Sequence, residues 1–224
     1  MKKLVTVRQR ALAASEEEAA KLRRFFREQG TLVTNLISSP GSGKTTLLEA
    51  TLRTMGSRAS CGVIEGDVAT ERDADRIRAL GVPAHQILTG GACHLDARQL
   101  GKGLTDGAFP KLDILFVENV GNLICPTTYD LGEDFKVAVL STTEGDDKPF
   151  KYPAIFAKAA VTVISKIDLL PHLPFDVDAV LEQLGSLNPS GTILLTSAIT
   201  GEGMEPWCQL LLDRLTDKRA QGAG

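Results

Sequence analysis

An α/β fold, with a mostly parallel central sheet covered by helices on both faces, is what this sequence predicts, and three observations carry the prediction. Short, continuous apolar runs recur along the chain, each followed by a stretch with helical spacing. Runs that are apolar throughout belong to strands buried on both faces. The first run leads into a glycine-rich loop and then a leucine-rich helix, the strand–loop–helix order that suits a phosphate-binding loop.

Composition sets the outer limits. With 43% hydrophobic and 24% charged residues, the chain resembles an ordinary globular protein, which excludes a disordered chain or a low-complexity fibre. Its 224 residues suit one substantial domain with a short appendage. The 25 basic residues against 28 acidic argue against a protein that coats nucleic acid. The longest uncharged stretch, 183–201, is too poor in apolar residues to span a membrane, and the apolar run 4–7 is broken by Arg8 and Arg10 before it could serve as a signal-peptide core. The expected setting is the cytoplasm, with no membrane or nucleic-acid partner. There the four separated cysteines read as core thiols or ligands rather than disulfides.

Residues 1–30 are expected to form a helical extension. Ser15 before Glu16, Glu17 and Glu18 reads as a capped helix start, Leu22, Phe25 and Phe26 as its apolar face, docked on the sheet, and Gly30 as its stop. The nucleotide-type domain then spans 31–219, and 220–224 is expected to be a disordered tail. Strands are predicted over 32–37, 61–64, 114–117, 137–140, 161–164 and 192–195. Helices are predicted over 45–55, 71–80, 95–104, 154–158, 177–187 and 204–215. Such a sheet binds its ligands beyond the carboxyl ends of its strands, so the segment after each strand decides the chemistry.

After the first strand comes Ser38-Ser39-Pro40-Gly41-Ser42-Gly43-Lys44-Thr45-Thr46. Small residues let backbone N–H groups point at phosphates, Lys44 serves the β and γ oxygens, and the Thr45 hydroxyl serves Mg²⁺ at a helix N-terminus. Gly41, Ser42, Gly43 and Thr46 complete the cradle. Ser38 stands where the pattern usually has its first glycine.

The strand over 161–164 ends in Ser165-Lys166-Ile167-Asp168. A carboxylate at Asp168 can accept both N1–H and N2–H of guanine and finds no donor on adenine, and the Lys166 stem can lie along the base. The small loop Thr196-Ser197-Ala198 follows the last strand, where a backbone N–H can meet guanine O6. Ser165 replaces the usual Asn or Thr, so its tether to the phosphate loop is expected to be weaker. A solvated turn is the competing reading of this short motif.

Glu118-Asn119-Val120-Gly121 follows the strand over 114–117. Glu118 can hold the magnesium shell and the Gly121 N–H can meet the γ-phosphate. No glutamine follows Gly121, so hydrolysis through a glutamine-positioned water is not expected. Glu65-Gly66-Asp67, with Thr70, Asp73 and Arg76 beyond, offers Asp67 for the magnesium shell and Asp73 for a water contact. Acids at the start of the next helix would have the same spacing. Cys93 and His94 are adjacent, and Cys125 falls just past Gly121; two thiols and an imidazole suit Zn²⁺ or Ni²⁺, though no CxxC pair announces a site.

Taken together, the phosphate loop, Glu65-Gly66-Asp67, Cys93-His94-Leu95-Asp96, Glu118 to Pro126 and Gly145-Asp146-Asp147-Lys148-Pro149 closely resemble the HypB family. These are the GTPases of nickel insertion into [NiFe]-hydrogenase, siblings of the urease accessory protein UreG within the SIMIBI-class P-loop GTPases. The resemblance implies a slow GTPase that cycles between GTP and GDP, with nickel or zinc on Cys93, His94 and Cys125 near a subunit interface. It also implies a homodimer favoured by GTP or metal, and delivery with a HypA-like metallochaperone to the hydrogenase large-subunit precursor. Lys148 would approach the nucleotide across that dimer. The chain lacks a Cys-rich N-terminal motif and a histidine tract, so a separate nickel store is not expected. Two rivals stand beside this reading: a small-molecule kinase using Arg72, Arg76 and Arg78 as a clamp, and a switch or scaffold whose thiols merely pack.

Overall fold

The computed structural model describes residues 2–67 and 72–222, with side chains from residue 14 onward. Thr70 and Glu71 therefore lie outside the described residues. Among the described residues, seven strands form one all-parallel sheet: β1 (Leu32–Ser38), β2 (Cys61–Asp67), β3 (Ala84–Leu88), β4 (Ile114–Glu118), β5 (Phe135–Ser141), β6 (Val161–Ser165) and β7 (Thr192–Thr196). Their order is β3-β2-β4-β1-β5-β6-β7. The chain works outward from β1 to one edge and then to the other, so the order reverses beside β1. Ligands collect at that point in open parallel sheets.

Among the described residues, eight α-helices cover the faces: α1 (Lys2–Gln29), α2 (Lys44–Met55), α3 (Arg72–Arg78), α4 (Ala97–Asp106), α5 (Lys148–Lys151), α6 (Pro153–Lys158), α7 (Val177–Leu187) and α8 (Met204–Gly222). One core joins α2 and α8 to the sheet through Leu48, Met55, Trp207 and Leu211. Across the sheet, Leu22 and Phe26 of α1 meet Leu100 of α4, while Phe156 and Val180 close the β5–β6 end. Each large side chain taken fully out of water there contributes about 1.5–3 kcal/mol. Among the described residues, no helix is long and apolar enough to cross a membrane.

Four local expectations change. Ser15 does not cap a helix, because α1 already runs from Lys2; the alanine- and leucine-rich residues before it are strong helix formers, and Ser15 lies buried inside the helix. Strand β3 was not expected, since Ala84-His85-Gln86-Ile87-Leu88 lacks an apolar run. The last helix continues through Ala220–Gly222, into the tail expected to be disordered. Phe26 docks as expected, whereas its neighbour Phe25 stays 48% exposed.

Candidate functional site

The carboxyl ends of β1, β2 and β4 open into a cleft of about 530 Å³ whose walls include Gly41, Lys44, Thr45, Asp67, Glu118 and Gly121. Its floor is the loop between β1 and α2. Gly43 has φ of 90°, a left-handed conformation that favours glycine, and it turns the chain so that Lys44 begins α2 and its free N–H groups face the cleft. Lys44 is buried and its Nζ donates to Ser38 Oγ at 2.9 Å. Ser38 thus parks the lysine at the mouth of the cradle.

Beneath the loop, Lys44 Nζ is 3.9 Å from Glu118 Oε1, and the Thr45 hydroxyl donates to the same oxygen at 3.1 Å. A second carboxyl that the sequence reading left unassigned stands beside Glu118. Glu65 is its direct register partner on β2. Burial first, and then the negative charge of Glu118, hold the Glu65 carboxyl well above the usual range. Burial also raises Glu118, against the pull of Lys44. Among the described residues, Glu65 Oε1 and Glu118 Oε2 meet no hydrogen-bond partner although both are buried. Orphaned carboxylate oxygens beside a threonine hydroxyl are the hard donors that Mg²⁺ takes.

Asp67 and Asp73 line the same cleft. Asp73 is paired with Arg76 at 3.2 Å, and Arg76 also holds Glu49 at 2.9 Å. Arg78 pairs with Asp75. Arg76 and Arg78, two members of the clamp a small-molecule kinase would need, are therefore engaged within the chain. Gly121 lies against the phosphate loop so closely that a Cβ there would sit 2.9 Å from Pro40 Cα.

The base-side residues converge as well. Ser165 Oγ donates to the Ser42 carbonyl at 2.9 Å, so the short side chain does tether this motif to the phosphate loop through one hydrogen bond. It reaches because β6 ends directly beneath that loop. Lys166 Nζ donates to the Gly41 carbonyl at 2.8 Å. Ser197 Oγ donates to Asp168 Oδ1 at 2.5 Å, which brings the two guanine-type loops together, with Ala198 next in the chain. Lys148 Nζ lies 3.4 Å from Ser39 Oγ and 5.4 Å over the Tyr152 ring. It thus reaches the phosphate loop of its own chain.

Cys93, His94 and Cys125 come together, their ligating atoms all within 4.8 Å of one another. Cys93 follows β3, and Cys125 opens the 3-10 turn Cys125–Thr128 beyond β4. The sheet order sets both strands on either side of β2. The His94 ring stacks on Tyr129, centroids 3.7 Å apart, and Asn122 Nδ2 donates to the Cys93 carbonyl at 3.4 Å. The neighbouring Cys125 thiol and then partial burial push the Cys93 thiol up, while burial lowers His94 and favours its neutral, ligating form. Cys61 and Cys208 are different: burial pushes them up to about 12 and about 11, as expected of core thiols.

The profile of the family described as "CobW/HypB/UreG, nucleotide-binding domain" matches residues 32–195, and hydrogenase maturation factor HypB of Escherichia coli K12 is 51% identical over 86% of this chain and 67% of its own length. The chain belongs to the HypB family. The crystal structure of HypB from Helicobacter pylori in complex with nickel superposes with a TM-score of 0.87 at 41% identity, covering 92% of this chain and 97% of that one. The HypB structure from Archaeoglobus fulgidus gives 0.85 at 39% identity, covering 91% and 100%.

Within this HypB-family chain, sequence reasoning missed Glu65, Tyr129 and the side chain of Asn119. Glu65 had a signal: an acid set directly after the apolar run 61–64 and still buried in β2. The stacking of Tyr129 on His94 had none, because it depends on the turn after Cys125.

Proposed function

We propose that this chain is a GTP-hydrolysing metallochaperone of [NiFe]-hydrogenase maturation, taking nickel on Cys93, His94 and Cys125 and releasing it in step with its nucleotide. One observation carries the reading: the soft donor cluster is joined to the phosphate cleft by the few residues between Gly121, packed on Pro40, and Cys125. A metal held there is linked to whatever Gly121 meets, and linkage runs both ways. Two thiolates and an imidazole prefer nickel or zinc to the hard cations of the cytoplasm.

In this reading Lys44 and the N-terminus of α2 bind the phosphates, with Gly41, Ser42, Gly43 and Thr46 around them, and Gly121 meets the γ-phosphate. Asp168 selects guanine with Lys166, Ser197 and Ala198 around the base, and Lys148 adds charge at Ser39. Thr45, Glu118 and Asp67 would hold Mg²⁺, which when bound neutralises charge on the β- and γ-phosphates. Asn122 spends its side chain on Ile124 N and the Cys93 carbonyl, so it does not replace the missing glutamine. Ordering of the attacking water then falls to Asp67 or Asp73, which supports slow hydrolysis.

The working form is a homodimer favoured by GTP or metal. Three protein ligands leave the metal open to a further donor, and Ile124, 65% exposed beside Cys125, supports a covering surface. A HypA-like metallochaperone and the hydrogenase large-subunit precursor are the partners, met in the cytoplasm. Metal-free protein titrated with nickel, and in parallel with zinc, tests the donor set. A sulfur-to-nickel charge-transfer band that is lost in Cys93→Ala and Cys125→Ala, with circular dichroism unchanged, is the expected result. No such band in the parent protein would overturn the reading.

A further inference from the structure

One buried side chain touches both the nucleotide segment and the metal segment. Asn119, 1% exposed, accepts the Val120 N–H and the Leu95 N–H on the same Oδ1, each at 3.0 Å. Two backbone donors at one end fix which end is oxygen. Its Nδ2 donates to Asn35 Oδ1 at 3.1 Å, and Asn35 Nδ2 donates to Glu133 Oε1 at 3.3 Å. Glu133 in turn pairs with Lys136, whose Nζ donates to the Tyr129 carbonyl at 2.8 Å.

Each end of this chain of bonds has a branch at the metal cluster. Leu95 follows His94 directly, and the Tyr129 ring stacks on His94. The near end begins at Val120, adjacent to Gly121 on the phosphate loop. Each member is buried or half-buried, so a broken bond leaves a polar group unpaired away from water, which is costly. That cost makes the network move together rather than fray.

We propose that Asn119 is the positioning residue that couples the nucleotide to the metal: its carboxamide oxygen makes the Leu95 backbone, and with it His94, follow any displacement of Val120–Gly121. Cys125 is carried by the same segment from the other side, so the distance between His94 and Cys125 changes with the occupant of the cleft. Asn119 lines the cleft, but its side-chain polar atoms are spent on Leu95, Val120 and Asn35, so it acts through these neighbours. The inference rests on the metallochaperone reading above.

The test measures nickel affinity by equilibrium dialysis with GDP–Mg²⁺ and with the imido analogue of GTP–Mg²⁺, for the parent protein, Asn119→Ala and Asn119→Asp. The parent is expected to differ between the two states by about fivefold or more. Asn119→Ala is expected to bring that ratio to about one, whereas Asn119→Asp, which keeps the accepting oxygen, retains most of it. A parent ratio of one sinks the metallochaperone reading and this inference with it. A clear parent ratio that survives in Asn119→Ala overturns the inference alone. Amide hydrogen exchange on the parent protein covers the case in which the variants do not fold. Leu95 and Val120 are expected to change protection together between the two states, and a change at Val120 without one at Leu95 contradicts the coupling.

Discussion

Ser165 sits beneath the phosphate loop with its hydroxyl on the Ser42 carbonyl, while Asp168, three residues further on, accepts from Ser197. The two side chains do separable work. Ser165→Ala is expected to weaken GDP and GTP alike by about three- to tenfold, the worth of one hydrogen bond, without changing the preference over adenine nucleotides. Asp168→Asn is expected to erase most of that preference, which in sites built on such a bond reaches ~10⁴. Competition against a fluorescent guanine nucleotide separates the two outcomes; unchanged discrimination in Asp168→Asn would remove Asp168 from the base site. At this scale much was legible. Gly43, Lys44 and Asp168 announce themselves because their chemistry is local in sequence. Glu65 did not, because an acid in a strand acquires meaning only when Glu118 is set beside it on the next strand.

Elements owe their place to contacts that the sequence pattern showed unevenly. Helix α8 was legible from its apolar face, and Trp207 shows what that face does: it is fully buried and its Nε1 donates to Thr51 Oγ1 of α2 at 2.9 Å. Trp207→Phe leaves a void and an unpaired acceptor, with an expected loss of about 1–3 kcal/mol in urea unfolding. Helix α8 is also held at its end, where Arg219 pairs with Asp113 and Asp113 accepts the Ser60 N–H and hydroxyl, each at 2.7 Å. Partial burial pushes the Asp113 carboxyl up, but Ser60 and Arg219 outweigh it and hold the carboxyl below its ordinary value. A carboxyl lowered on folding stabilises above its unfolded pKa and loses that contribution as pH falls through the folded one. Asp113→Asn should therefore cost about 1 kcal/mol near pH 7 and progressively less below about pH 4. An equal cost at both ends would assign the effect to packing. Strand β3 was hidden because a short edge strand with His85 and Gln86 carries no apolar run, and the true start of α1 was hidden by the plausible cap at Ser15.

For the whole molecule, the parallel sheet is what gathers residues from the ends of five strands into one cleft and its rim. The fold class was legible because buried parallel strands are apolar along their whole length. The metal cluster was not legible from spacing: Cys93 and Cys125 meet only because β3 and β4 lie on either side of β2. The strand that the sequence concealed is the one that brings Cys93 to the site. That placement makes the central claim a claim about linkage, in which nickel and the γ-phosphate compete for or reinforce one arrangement of Gly121–Cys125. Equilibrium dialysis of nickel against nucleotide-free, GDP-bound and GTP-analogue-bound protein, with Cys93→Ala and Cys125→Ala alongside, measures it directly. The account predicts that affinity differs between the GDP and GTP-analogue states by about fivefold or more, and that both variants abolish the difference. Equal affinity in every nucleotide state, or binding indifferent to both cysteines, would contradict it.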